Sequence, residues 1–306
     1  MPGTRKRQLI EKRLPLFFDL MSACRLCPRQ CGVDRLNGQT GFCRIGREIK
    51  IASWAQHRGE EPPISGTHGS GTIFASGCTL GCCFCQNFPF SQLDNGKYFS
   101  GQELGKIYDK LAASKVHNLN FVTPTHVIPM LLEGWLHSGE AARSLPIVYN
   151  CSGYETEEVL ALLDGIVDIY LPDIKYSQNS TARELSQAAD YVETNRQTLN
   201  FMYNQVGELQ IDEKTGLGRR GMIIRHLILP ENLAGSADSL RWLRAEFGPN
   251  IHLSIMCQYF PAHKAHQHPI INRPINESEY LPVLELVEEL GFNNVWAQDP
   301  TEQGGA

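Results

Sequence analysis

From residue 71 onward the chain alternates between short apolar runs and stretches whose apolar residues recur at helical spacing. The apolar runs fall at 72–76, 118–122, 146–150, 166–171, 222–229, 251–256 and, with a weaker pattern, 294–297. They are nearly continuous in hydrophobicity, as strands buried on both faces must be. Between the first two, Leu104, Ile107, Tyr108, Leu111 and Ala112 share one helical face, and Ser100 with Glu103 predicts a capping box at its start. Ile128, Leu131, Leu132, Trp135 and Leu136 repeat that face after the second strand, and Leu240, Leu243 and Phe247 mark a shorter helix. Helices are also predicted around 180–189 and 193–206, with Gly216 and Gly218 in a loop before the fifth strand. Strand–helix alternation implies an α/β fold with a parallel sheet. A closed eightfold barrel takes about 250 residues. Six or seven strands between 71 and 297 therefore predict an open, partial TIM-like barrel.

Residues 1–70 follow a different pattern and predict a small Cys-rich N-terminal extension packing on a core of residues 71–306. Arg5-Lys6-Arg7 and Lys12-Arg13 predict a solvated, partly frayed N-terminus. Leu14 to Phe18, interrupted by Pro15, is too short for a signal-peptide core. Cys24, Cys27, Cys31 and Cys43 lie among Pro28, Gly32, Gly38 and Gly41, which supply tight turns. Their spacing suits zinc held by four thiolates, a second iron–sulfur cluster, or a free-thiol turn region, and does not separate the three. Glu60-Glu61-Pro62-Pro63 reads as a turn with solvated carboxylates and no chemistry.

Composition narrows the class. The 306 residues are 42% hydrophobic and 20% charged, with 28 basic and 33 acidic side chains and a net charge of −5. Nothing in that balance calls for a nucleic-acid or membrane surface. Ten cysteines without an export signal point to metal or redox chemistry in a reducing compartment, hence to the cytoplasm.

Three of those cysteines follow the first strand directly, in Ser76-Gly77-Cys78-Thr79-Leu80-Gly81-Cys82-Cys83-Phe84-Cys85-Gln86-Asn87. Three ligands on one loop are one short of a structural zinc site. They suit a [4Fe-4S] cube with three irons tied to protein and one open. The spacing of Cys78, Cys82 and Cys85, on the loop after the first strand, resembles the signature of the radical S-adenosylmethionine (SAM) enzymes. The flanking text resembles the branch of the pyruvate formate-lyase activating enzyme, and more closely the uncharacterised iron–sulfur homologues of that activase. The resemblance runs from about Cys24 to the C-terminal helix. It implies a partial (βα)6 barrel whose cluster binds SAM and cleaves it reductively to a 5′-deoxyadenosyl radical that abstracts hydrogen. It also implies an electron donor such as reduced flavodoxin or ferredoxin, and a glycyl-radical enzyme as a candidate protein substrate.

Ligands of parallel βα sheets gather at the carboxyl ends of the strands. There the sequence places Thr123-Pro124-Thr125-His126, Asn150-Cys151, Asp173-Ile174-Lys175, Arg225-His226 and Cys257-Gln258-Tyr259. By the resemblance, Phe84 neighbours the adenine, Lys175 of Asp173-Ile174-Lys175 contacts the SAM carboxylate, and Arg225 meets SAM or a backbone carbonyl. The activases carry a Gly-Gly-Glu type sequence after the second strand. This chain has Thr123, Thr125 and His126 instead, whose oxygens could accept the SAM amine hydrogens. That departure bears on the activase assignment more than on SAM. Asn150 and Gln258 complete the candidate cofactor shell. The plainer alternatives are a surface pair for Lys175 and Asp173, and simple packing for Cys83, Cys151, Cys257 and Phe84. His226 is expected to point away from the site, and His263, His266 and His268 to form a solvated loop. A non-catalytic iron–sulfur carrier or redox sensor is the alternative function, with a zinc-stabilised binding protein behind it.

Overall fold

The computed structural model describes residues 2–298. In chain order the elements begin with α1 (Pro2–Ser22), β1 (Ile49–His57), α2 (Pro62–Ser65), β2 (Ser70–Ala75), α3 (Phe88–Ser91) and β3 (Lys97–Phe99). Then come α4 (Gly101–Ala113), β4 (Leu119–Val122), α5 (Ile128–His137), α6 (Glu140–Arg143), β5 (Ile147–Cys151), α7 (Glu157–Leu163) and β6 (Ile169–Pro172). The rest are α8 (Asn179–Ser186), α9 (Tyr191–Val206), β7 (Gln210–Ile211), β8 (Gly218–Leu227), α10 (Ser236–Phe247), β9 (His252–Met256), α11 (Glu277–Glu289) and β10 (Asn294–Ala297). No helix among these residues is long and apolar enough to cross a membrane.

Strands β2, β4, β5, β6, β8, β9 and β10 lie side by side in chain order, each parallel to the next. Sequential order means that every crossover steps the same way. With right-handed crossovers the helices then collect on one face, and the sheet curls away from them. β1 and β3 extend one edge antiparallel, and β10 stands at the other edge, so the sheet remains an open partial barrel.

Alternate residues of each strand serve two cores. Phe121, Tyr149, Tyr170 and Ile224 pack outward under the helices with Tyr108 and Trp135. Val148, Ile169, Leu171 and Ile223 face the lumen, where Ile64 of α2 joins them. Burial on both faces is why these strands read as continuous apolar runs. The predicted capping box is present, with Ser100 accepting from Glu103 N–H and Glu103 reaching back to the Ser100 N–H.

The N-terminus is not frayed. α1 runs through Pro15 and buries Ile10, Phe17, Leu20 and Met21 in the outer core. Lys6 pairs with Asp168, and Arg13 donates to the carbonyls of Leu162 and Asp164. The basic residues thus anchor the helix to the end of α7 and the start of β6. Residues 49–57, for which the apolar pattern predicts no strand, pair with β2.

Phe17→Ala should cost about 3–5 kcal/mol, the usual range for emptying a fully buried aromatic site. Urea unfolding checks this; an unchanged midpoint would mean that α1 frays after all.

Candidate functional site

β2 ends at Ala75 and delivers the three-cysteine loop to the carboxyl edge of the sheet. The loop is held from outside. Gly77 lies at φ +80, and a Cβ there would strike the Cys43 carbonyl and come within 3.0 Å of His126 Nε2. Only glycine meets both demands at once. Each of the three sulfurs has a polar neighbour: Leu80 N–H donates to Cys78 Sγ at 3.3 Å and Ser186 Oγ to Cys82 Sγ at 2.9 Å. Cys85 Sγ lies 3.3 Å from Ser91 Oγ. Hydrogen bonds to sulfur tune the potential of thiolate-held clusters. Burial raises the pKa values of Cys78 and Cys82, and the Lys175 charge opposes the rise at both. A bound metal would supply the positive charge that the thiolates need. Cys83, between the ligand candidates, lies in an apolar cluster with Leu80, Phe84 and Tyr176.

Among the described residues, no three His, Cys, Asp or Glu side chains converge to hold one metal ion. A cube makes no such demand, because its thiolates ligate separate irons. The donor set therefore fits a cluster better than a lone ion.

Strand register sorts the rim residues. Asn150, Asp173 and Arg225 share the lumen face, since Asn150 aligns with Leu171, and Asp173 with Arg225. Lys175 Nζ donates to Asp173 Oδ2 at 2.6 Å, and both side chains are 19% exposed. Burial works against the Lys175 charge, but Asp173 and Cys82 more than offset it, and its pKa rises. Phe84, Lys175, Leu227 and Leu229 line one recess, and Phe84 stands edge-on to Tyr259 at 5.6 Å. The Gln258 carbonyl accepts from Gln86 Nε2 at 2.8 Å, which ties the end of β9 to the cysteine loop. Thr123 adopts φ +55 while its N–H donates to the Asn150 carbonyl at 2.8 Å. A β-branched residue there is strained, and such strain clusters at functional sites.

Thr125 and His126 do not join this group. Both are buried; Thr125 donates to Glu155 Oε1 at 2.7 Å, and His126 Nε2 lies 2.8 Å from the Ser76 carbonyl. Burial pushes the His126 pKa down to about 4. The neutral ring then donates from Nε2 and braces the start of the loop. Nor is Arg225 free for a ligand. Its Nε and Nη2 donate to Glu61 at 2.7 Å each, and Nη2 also meets Glu60. His226 points to the other face, against the Ile174 carbonyl and Ser236. Cys151 and Cys257 are buried in the outer core. His263 stacks on Phe88 of α3 at 4.9 Å, so part of the histidine loop covers the cysteine segment.

Three acidic residues escaped sequence reasoning. Glu60 and Glu61 are not solvated turn carboxylates: their side chains are 7% and 5% exposed and hold Arg225. Burial would raise the Glu61 pKa, but the Arg225 charge and hydrogen bonds hold it below the usual value. The signal that could have been weighed is the mandatory partner of a lone arginine in a buried strand. Glu155 has no such signal. It is buried between Thr125 and Tyr149, bordering a cleft of about 230 Å³ formed with Pro28, Glu157 and Asp190. Burial raises its pKa from 4.5 to about 7, against the lowering effect of its hydrogen bonds.

An open parallel α/β barrel with three thiols at the carboxyl end of its first parallel strand defines the class. No family model matches the sequence. The chain belongs to the family of the uncharacterized protein MJ0674 of Methanocaldococcus jannaschii, being 30% identical to it over 300 residues, 95% of this chain and 82% of that protein. Among solved structures it is similar to HydG, a maturase of the [FeFe]-hydrogenase, at TM-score 0.48 and 12% identity. That likeness covers 74% of this chain but only 51%, about half, of HydG. It is also similar to methylornithine synthase, PylB, at TM-score 0.45 and 13% identity over 72% of this chain and 68% of that one. Neither likeness transfers a residue role.

Arg225→Met would leave two buried carboxylates unpaired and should destabilise the fold by about 3–5 kcal/mol at neutral pH. The loss should shrink in acid, where Glu61 takes up a proton; a pH-independent loss would contradict the ion network. Glu155 behaves in the opposite sense. Its folded pKa is raised, so its contribution is complete below about pH 4.5 and is lost as pH rises through about 7. Glu155→Gln should therefore gain on wild type by about 2 kcal/mol between pH 5 and pH 8. Paired urea titrations at the two pH values measure the gain.

Proposed function

We propose that the chain is a radical SAM enzyme, with Cys78, Cys82 and Cys85 holding a [4Fe-4S] cluster that leaves one iron to SAM. One observation carries this reading: three thiols, each with a polar neighbour at sulfur, leave the first parallel strand near the half-buried Lys175–Asp173 pair. When bound, the cluster supplies one electron to the SAM sulfonium, which yields methionine and an adenosyl radical able to take a hydrogen atom. The residues do the orienting. Lys175, fixed by Asp173, faces the SAM carboxylate. Phe84, Leu227 and Leu229 offer an apolar wall to the adenine and keep water from the reacting centre. The Thr123 carbonyl and Asn150 accept the amine hydrogens, while Thr125 and His126 act behind them as supports. A reduced flavodoxin or ferredoxin in the cytoplasm delivers the electron.

The finer reading is a protein substrate of the glycyl-radical type. Phe260 and Ile270 support it. Both are more than half exposed on the segment after β9, the same segment that stacks on α3. Large apolar side chains exposed beside a site suit a docking polypeptide.

After anaerobic reconstitution and reduction, incubation with SAM should release 5′-deoxyadenosine. Cys82→Ala should abolish release, and Lys175→Met should raise the KM for SAM about 10- to 100-fold, as for loss of one charge-assisted hydrogen bond. A fully loaded cluster that releases no product, and whose EPR signal ignores SAM, would leave electron transfer in place of catalysis.

A further inference from the structure

Arg35 is fully buried, yet among the described residues no carboxylate lies at ion-pair distance from it. Its Nη2 donates to the Gly46 carbonyl at 3.1 Å, its Nη1 lies 3.8 Å from Cys24 Sγ, and its Nε has no partner. A guanidinium does not lose its proton in proteins, so it must find its counter-charge nearby. The one side chain it is shown to contact is a sulfur, that of Cys24. Cys24, Cys27 and Cys43 are buried, and Cys31 is exposed at the mouth of the same turn. Neutral thiols do not balance a cation. Four thiolates around a divalent ion carry a net double negative charge, and a thiolate-held cube is likewise anionic.

We propose that Cys24, Cys27, Cys31 and Cys43 hold a second metal centre as four thiolates, with Arg35 as its buried counter-ion. This does not rest on the radical SAM reading. The backbone is arranged for such a centre. Cys24 N–H donates to the Val33 carbonyl at 2.9 Å, and Gly32 N–H returns to the Cys24 carbonyl at 3.1 Å. Phe42 N–H points at Cys31 Sγ at 3.4 Å, the kind of N–H···S contact that supports a metal-bound thiolate. A Cβ on Gly41 would come within 2.7 Å of that sulfur, so glycine lets the second segment close on the first. Among the described residues no three of these thiols converge on one point, so, as at the Cys78 loop, their spacing suits a cluster, whose thiolates ligate separate irons, better than a lone ion.

The centre also has a mechanical consequence. Arg29, between Cys27 and Cys31, donates to the carbonyl of Thr79 at 2.9 Å and to those of Ser186 and Gln187. Its guanidinium stacks 3.9 Å above the Phe42 ring. The Cys43 carbonyl abuts Gly77. A metal that fixes the turn therefore braces the Cys78–Cys85 loop from behind.

The test separates the two sets of thiols. A variant with Cys78, Cys82 and Cys85 all changed to Ala is offered zinc and, anaerobically, iron with sulfide, and its metal is quantified after desalting. It should keep about one zinc or about four irons per chain. That metal should vanish when Cys24, Cys27, Cys31 and Cys43 become Ser in the same background. Arg35→Met should weaken retention against a chelator at least tenfold. Retained zinc identifies a mononuclear site, and retained iron a second cluster. A folded loop variant that holds neither would overturn the proposal. Should that variant not fold, cobalt is titrated into the wild-type chain and into Cys31→Ser. Loss of thiolate–cobalt charge-transfer absorption in Cys31→Ser supports the site; an identical spectrum overturns it. Cleavage of SAM by a chain lacking quartet metal would leave the catalytic reading untouched.

Discussion

Arg225, held between Glu60 and Glu61 inside the lumen, is the interaction on which the geometry of the site depends. A closed barrel keeps its curvature by strand pairing, but here β3 and β10 are separate edges. The curl is therefore held from within. Ile64 of α2 plugs the lumen against Val148, Ile169, Leu171 and Ile223. The two carboxylates just before α2 reach across to β8, and Asn120 of β4 donates to Glu60 at 3.0 Å. Asn118 adds a bond to the Ile64 carbonyl at 2.8 Å. These contacts fix the segment that leads into β2, and so the place where the cysteine loop emerges. A buried ion network is a costly way to gain stability, since desolvation offsets most of the attraction. Its plainer effect here is positional: one bidentate arginine admits few arrangements of its partners.

The strands were legible because burial on two faces leaves a strong local trace. Each of the seven parallel strands coincides with an apolar run to within a few residues, and α4 begins at the capping box that marks it. What escaped was non-local or masked. Glu60 and Glu61 sit among prolines, where composition suggests a solvated turn, and their partner is more than 160 residues away. α1 was masked by Pro15 and by its basic residues, although Ile10, Leu14, Phe17 and Met21 follow helical spacing. β1 was missed because its outer half is exposed and carries no apolar run.

Near the candidate site, sequence position alone placed the cysteine loop just past one strand and Asp173 with Lys175 just past another, which is where the structure has them. Thr125 and His126 show the limit of that method. A segment just past a strand can turn either into the cleft or under the helices, and sequence does not distinguish the two. Thr123 keeps its N–H on the Asn150 carbonyl in a left-handed conformation, while Thr125 and His126 are buried on Glu155 and the Ser76 carbonyl. The strained residue thus stands between the strand end and two buried supports.

Charge gives the lumen a sign. Lys175 and Asp173 cancel, whereas Arg225 faces two carboxylates, so the group that adjoins Asp173 across β6 and β8 carries one net negative charge. SAM has a sulfonium, an ammonium and a carboxylate, and is a net cation. On the proposed reading, a negative floor in a desolvated cleft would favour that cation over neutral products that have lost the sulfonium. On that reading Lys175 would order the carboxylate end locally, while the excess charge would act on the molecule as a whole. Thiolates holding a cluster would add negative charge on the other side of the same residue, since Lys175 pairs with Asp173 and its charge also reaches Cys82. Its pairing with Asp173 on one side and its proximity to Cys82 on the other thus follow from a single requirement: a fixed cation where two regions of negative charge meet.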